Sequence, residues 1–197
     1  MRTLLQAGAR VQQVFERRGW KFCFIGGVAN FRWGTPRLTD DLDLTLLTGF
    51  GAEAAYADAL LADFDSRIPD AAAFAARHRV LLLRTSDGFG LDIALGAMPF
   101  EAGAIERSSN VELVPGATLR TCSAEDLIVH KVFAARPQDW VDVEGVILKQ
   151  RGQLAWPQIW HDLTDLAALK ESPELVDELE RVARRAEQVI GPFPRGR

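Results

Sequence analysis

Cysteine is scarce in this chain, with Cys23 and Cys122 the only two among 197 residues. A disulfide framework is thereby set aside, because small stapled domains carry many closely spaced cysteines; these two read as reduced packing residues. Histidine is sparse as well. His78, His130 and His161 stand far apart and no C-x-x-C pair accompanies them, so a zinc pattern is missing. No stretch approaches the roughly 18 uninterrupted apolar residues that a membrane-spanning helix needs. The first residues hold no basic segment followed by an apolar run, so no secretory signal is read and a cytoplasmic location without membrane contact is expected. Positive charge is not in excess either. A net charge of −4 argues against a protein that grips nucleic acid mainly by neutralising many phosphates. The last residues are locally basic through Arg181, Arg184, Arg185, Arg195 and Arg197, and the first three of these suit the carboxyl end of a helix dipole.

What is present suffices for a good core, at 48% hydrophobic and 25% charged side chains, with room for a helical appendage. Leu4, Leu5, Ala7, Val11, Val14 and Phe15 recur at helical spacing and predict an amphipathic helix over 3–18. Phe22-Cys23-Phe24-Ile25 reads as a buried strand that turns at Gly26-Gly27 into a helix over 28–33. A second strand is expected at 41–47 and a helix in the alanine-rich stretch 52–63. Two further strands, 80–84 and 91–95, flank the turn residues Ser86-Asp87-Gly88 and predict a hairpin. After Val111–Val114 and a Pro115-Gly116 turn, Ser123 and Asp126 carry the spacing of a capping box, opening a helix through about 133. Helices are expected thereafter at 139–150, 157–170 and 173–190, the last with Ser172 as N-cap and Pro173 at its first position. The fold class is α+β. A mixed sheet flanked by helices fills residues 1–120, and a helical region, 121–197, completes the other side of a cleft.

The chemistry concentrates in three aspartates. In the second strand Asp41, Asp43 and Thr45 alternate with Leu42, Leu44 and Leu46, so the carboxylates share one face and the leucines the other. Two residues along a strand advance roughly 6.6 Å, close enough for both side chains to converge on one ion. Asp92 alternates in the same way with Leu91, Ile93 and Leu95. Two carboxylates about 4 Å apart repel by about 4 kcal/mol at an effective dielectric near 20, so three on one surface make sense chiefly around a cation. All-oxygen ligands suit Mg2+ or Mn2+, whose remaining positions water and phosphate can fill. The blander reading is that these acids decorate the wet face of an antiparallel strand. Gly26 and Gly27, opening a helix, offer backbone N–H groups to a phosphate; taken alone, such a dipeptide is more often a tight turn.

The run Ile25-Gly26-Gly27, then thirteen residues, then Asp41-Leu42-Asp43-Leu44, with Leu91-Asp92-Ile93 later, resembles the signature of the DNA polymerase β-like nucleotidyltransferases. Within that superfamily, Arg37-Leu38-Thr39-Asp40-Asp41-Leu42-Asp43 and the Lys131–Asp142 segment look like the AbiEii/AbiGii toxin-type enzymes. The resemblance implies a nucleoside triphosphate co-substrate and a nucleoside monophosphate passed to an acceptor hydroxyl with release of pyrophosphate. It implies that Asp41, Asp43 and Asp92 bind magnesium, and that Gly27 and Thr39, with Gly26 beside them and Arg37 assisting, contact the triphosphate. Lys131 would lie near the nucleotide phosphates, and Asp139 or Asp142 would be the acidic position used in the acceptor reaction. Gln138 departs from relatives that often carry arginine there. The implied acceptor is RNA, particularly a tRNA end, and the implied partner a cognate antitoxin; a small hydroxylated acceptor such as an antibiotic, or a non-catalytic nucleotide-binding module, are the alternatives. Outside the resemblance, Lys131 reads as a lysine whose stem covers apolar surface while its ammonium reaches solvent, and Asp139 as a helix cap. Trp156 and Trp160, one helical turn apart, read as packing residues or as a platform for a base.

Overall fold

The computed structural model describes residues 1–196, so Arg197 of the basic group above lies outside the described residues. The chain forms two units. The first comprises Met1–Val28 and Leu38–Cys122; the second comprises Ala29–Arg37 and the chain from Ser123 onward. The second unit thus takes in residues 29–37, which a linear division at 120/121 leaves with the sheet.

In the first unit the elements run α1 (Arg2–Arg17), β1 (Phe22–Phe24), the start of α2 (Gly26–Trp33), β2 (Asp41–Leu47), α3 (Glu53–Leu61), β3 (Asp65–Ser66), α4 (Ala71–His78), β4 (Val80–Arg84), β5 (Gly90–Gly96), α5 (Pro99–Arg107), β6 (Ser109–Val114) and β7 (Ala117–Thr121). The strands form one mixed sheet in the order β3-β4-β5-β2-β1-β7-β6. β2 lies parallel to β5 and antiparallel to β1, and β1 is parallel to β7. The α+β fold expected from the sequence is therefore the one that forms.

Alternation decides the two faces of β2. Leu42, Leu44 and Leu46 are fully buried, each worth about 1.5–3 kcal/mol by removal from water. Against that leucine face lies α1, whose buried Leu4, Leu5, Val11 and Phe15 recur at helical spacing. Gly8 permits the approach, since a Cβ there would sit 3.3 Å from Leu42 Cδ2 and from Leu119 Cδ1. On the opposite face the strand is not wet throughout: Thr45 is buried, with its methyl beside Gly96, while Asp41 and Asp43 stay half-exposed. The hairpin at 80–96 forms as the sequence suggests, with Thr85 N–H donating to Phe89 O at 2.9 Å and Gly88 N–H to Thr85 O at 2.9 Å.

Four elements of this unit were not legible beforehand. β3 is only two residues long, and α4 is an alanine run whose terminal signals are weak. β7 follows the Pro115-Gly116 turn but mixes threonine and arginine with its apolar residues. α5 is opened by the Glu101 carboxylate, which accepts from the N–H groups of Ala97 and Met98 at 2.8 and 2.9 Å, a cap set back from any apolar periodicity.

The second unit holds the rest of α2 with α6 (Ala124–Ala134), α7 (Pro137–Lys149), α8 (Trp156–Leu169) and α9 (Glu174–Ile190). Ser123 caps α6 as expected, its hydroxyl accepting from Asp126 N–H at 3.1 Å and donating to Asp126 Oδ2 at 2.7 Å. α9 begins one residue later than expected, with Pro173 rather than Ser172 at the cap. The segment at 29–37 is bound to the end of α7: Lys149 Nζ donates to Arg32 O and Gly34 O, both at 3.0 Å, and Gln150 Nε2 to Trp33 O at 2.9 Å. Trp156 is fully buried and stacks on Trp160 and Phe193, so it serves packing rather than a base platform. Arg181 and Arg184 sit inside α9 rather than in its last turn and pair with Glu178 and Glu180, which corrects the reading of a helix-dipole complement. No described helix is long and apolar enough to cross a membrane.

Candidate active site

In the first unit the three aspartates come together through strand register. Asp43 pairs with Asp92 across the parallel β2–β5 ladder, and Asp41 pairs with Gly90 two residues earlier. Paired residues of a parallel ladder point to the same face about 4.8 Å apart, so all three carboxylates rise from one patch. Two glycines shape that patch. Gly26 has φ +54° and a Cβ there would fall on Asp43 Oδ2, so the carboxylate lies where any other residue would put a side chain. Gly90 likewise leaves room for the Asp41 carboxylate. Gly27, the next residue, faces Thr39: a Cβ would lie 2.9 Å from the threonine side chain. Thr39 Oγ1 in turn donates to Asp41 O at 3.3 Å. The first N–H groups of α2 have no acceptor inside the helix, and they begin at this glycine pair.

Arg67, which the sequence did not single out, completes the patch. Its guanidinium lies between two of the acids, with Nη1 3.5 Å from Asp41 Oδ1 and Nη2 bonded to Asp92 Oδ1. Burial pushes the Asp92 carboxyl up to about 6; Arg67 opposes that rise, and the charges of Asp43 and Asp41 add to it. A carboxyl raised above its ordinary value by burial and by the charges of two neighbouring acids is one to which an added cation would be favourable. Among the described residues no group of three or more histidine, cysteine, aspartate or glutamate side chains is placed to hold a metal ion as it stands. The donor chemistry nevertheless fits a hard divalent ion: oxygen ligands only, on one face, with a guanidinium standing in for positive charge.

The second unit holds a different cluster. Lys131 is 3% exposed, and its ammonium donates to Asp142 Oδ2 at 2.6 Å and Asp139 Oδ1 at 3.2 Å. The ammonium therefore does not reach solvent, contrary to the reading in which it would emerge from an apolar stem. Arg37 forks onto Asp142, Nε lying 3.1 Å from Oδ1 and Nη2 3.1 Å from Oδ2, and Gln138 Nε2 donates to Oδ1 at 3.2 Å. The neutral glutamine thus still supplies a donor. Asp139 caps α7, accepting from Arg136 N–H at 3.2 Å and from its Nε at 2.7 Å. Burial raises the Asp142 carboxyl, but the hydrogen bonds of Arg37 and Lys131 outweigh it and the net shift is downward. Asp139 follows the same course: burial raises it, and the hydrogen bond from Arg136 with the charge of Lys131 brings it below its usual value.

The residues singled out in the sequence thus fall into two sets, Gly26, Gly27, Thr39, Asp41, Asp43 and Asp92 in the first unit and Arg37, Lys131, Asp139 and Asp142 in the second. Arg67 was missed because its only local signal is an arginine after a two-residue strand.

Comparison with solved structures finds distant likenesses. One is the crystal structure of an antigenic nucleotidyltransferase-like protein from Paracoccidioides brasiliensis, at 15% identity and TM-score 0.49 over 90% of this chain and 93% of that one. Another is the solution structure of the antibiotic-resistance factor ANT(2'')-Ia, at 18% identity and TM-score 0.48 over 95% and 94%. A third is the lincomycin-bound lincosamide antibiotic adenylyltransferase LnuA, at 13% identity and TM-score 0.46 over 70% and 92%. No curated protein matches the sequence. The family model of the nucleotidyl transferase AbiEii toxin, a type IV toxin–antitoxin system component, matches residues 14–194. That span takes in both sets of residues, and on it the chain belongs to the AbiEii nucleotidyltransferase family.

Proposed function

We propose that this nucleotidyltransferase binds Mg2+ or Mn2+ through Asp41, Asp43 and Asp92 and transfers a nucleoside monophosphate from a triphosphate to an acceptor hydroxyl. The observation that carries the reading is the register that sets Asp43 beside Asp92 with Asp41 on the same face, directly at the glycine pair that opens α2. When bound, a divalent ion supplies charge neutralisation for the triphosphate and eases loss of the acceptor proton. The chain's own groups do the rest. The N–H groups of Gly26 and Gly27, at the first turn of α2, and the Thr39 hydroxyl hold phosphate oxygens in this reading, and the glycines admit them without a Cβ in the way. The hydroxyl oxygen bonds to the α-phosphorus as the α–β bridging bond breaks; pyrophosphate departs and the hydroxyl proton is released to solvent.

The match to a toxin of a type IV toxin–antitoxin system supports an antitoxin as the functional counterpart; RNA, a tRNA end in particular, is the acceptor we propose and the cytoplasm the proposed place of action, both from the sequence resemblance. A labelled-triphosphate assay tests both levels. Incubation with Mg2+ and total RNA should label RNA and release pyrophosphate, and Asp43→Ala should abolish both. Label landing instead on a small hydroxylated molecule would move the acceptor to that class. Nucleotide binding without pyrophosphate release in any mixture would reject the catalytic reading.

A further inference from the structure

Arg67 is placed by the sheet rather than by its neighbours in sequence. Its backbone N–H donates to Leu82 O at 3.0 Å, Leu82 pairs with Asp92, and Asp92 pairs with Asp43. The residue therefore stands in line with the acids, and its side chain crosses β4 to end between Asp41 and Asp92. The guanidinium is only 22% exposed, yet its Nε is buried with no hydrogen-bond partner. An arginine in a permanent structural seat satisfies most of its five N–H groups. This one is held by charge, through carboxylates that are themselves 31% and 47% exposed.

We infer that Arg67 is a built-in counter-ion, which fills the cation position between Asp41 and Asp92 while no divalent ion is there and yields it when one binds. The inference rests on the metal role proposed above. Asp41, Asp43 and Asp92 cannot remain ionised side by side without positive charge nearby, and Arg67 supplies it in the metal-free chain. Guanidinium and divalent ion compete for the same oxygens, so every ion taken up must first displace the arginine. The apparent metal affinity is reduced by that displacement, as it is for any ligand that binds only one of two states.

Mn2+ uptake by the full chain, followed through the electron paramagnetic resonance of free Mn2+ with a non-hydrolysable nucleoside triphosphate present, tests this without reference to turnover. Arg67→Gln should bind Mn2+ about tenfold more tightly than the unaltered chain, a size suited to a partly exposed ion pair. The metal-free variant should also melt lower and gain more from Mn2+. Arg67→Lys, which keeps the charge, should stay within about threefold of the unaltered chain. Independently of any variant, the 15Nε resonance of Arg67 should shift on Mg2+ titration with the midpoint of metal binding. Tight uptake by the unaltered chain with no gain in Arg67→Gln, an equal gain in Arg67→Lys, or a resonance that stays fixed while Mg2+ binds would each overturn the inference and leave the metal role standing. Uptake by neither the unaltered chain nor Arg67→Gln would remove the metal role and the inference together.

Discussion

The molecule contains two acidic clusters that are handled in opposite ways. In the helical unit two buried carboxylates, Asp139 and Asp142, meet Lys131, Arg37 and Arg136, and the oxygens of Asp142 accept from three different side chains. In the sheet unit Asp41 and Asp92 share one guanidinium, half-exposed, with Asp43 alongside. The directions of their carboxyl shifts differ accordingly, downward for Asp139 and Asp142 and upward for Asp92. Burial acts the same way on all three; the supply of opposite charge decides the outcome. A cluster whose buried carboxylates each accept from several donors holds structure together, whereas one in which Asp41 and Asp92 share a single guanidinium and stay partly exposed is open to charge from outside.

The contrast breaks most visibly at Lys131. Lys131→Met should destabilise the fold by about 3–5 kcal/mol, because it leaves buried carboxylates short of a cation; urea denaturation measures it, and a loss below about 1 kcal/mol would mean that Arg37 and Arg136 suffice. Asp43→Ala should do the reverse. It should lower transfer by on the order of 10²-fold or more while leaving the urea midpoint of the metal-free chain unchanged or raised, since it relieves repulsion. Gly26→Ala comes next. A side chain at φ +54° costs about 1–2 kcal/mol and would press on Asp43, so thermal denaturation and transfer should both register it; a variant with unaltered activity would show that the Asp43 carboxylate tolerates displacement. The smallest effect concerns acid. Asp139 and Asp142 titrate below the ordinary 3.8 in the folded chain, so their contribution is complete above that value and is lost as pH falls through it toward their folded values. Arg136→Ala removes one of the groups holding Asp139 down, and the acid limb of stability against pH should move to slightly higher pH. A limb that stays in place would assign the lowering to Lys131 alone.

The period-two alternation of aspartate and leucine at 41–46 was enough to assign the two faces of β2, because side-chain direction in a strand follows directly from position. The Ser86-Asp87-Gly88 turn was equally legible, since a turn is built from adjacent residues. What escaped was whatever depends on strands distant in sequence. Arg67 reaches Asp92 only because β3 joins the sheet beside β4, and no local pattern announces that pairing. Thr45 was expected on the same open face as the aspartates, and its burial comes from packing that periodicity does not report. Lys131 carries an apolar neighbourhood that any reading would match to a lysine stem; its two carboxylate partners follow it by 8 and 11 positions, in the next helix.

The passage of residues 29–37 into the helical unit has a practical corollary for dissecting the protein. The polypeptide changes unit three times, after Val28, after Arg37 and after Cys122, so no single cleavage yields two self-contained pieces. A fragment ending at Cys122 would keep Asn30, wholly buried in the intact chain, together with carbonyls of Arg32, Trp33 and Gly34 stripped of the Lys149 and Gln150 donors. Such a fragment is a poor vehicle for studying the aspartates in isolation, and the interleaved strand of chain makes point substitution, not truncation, the informative tool.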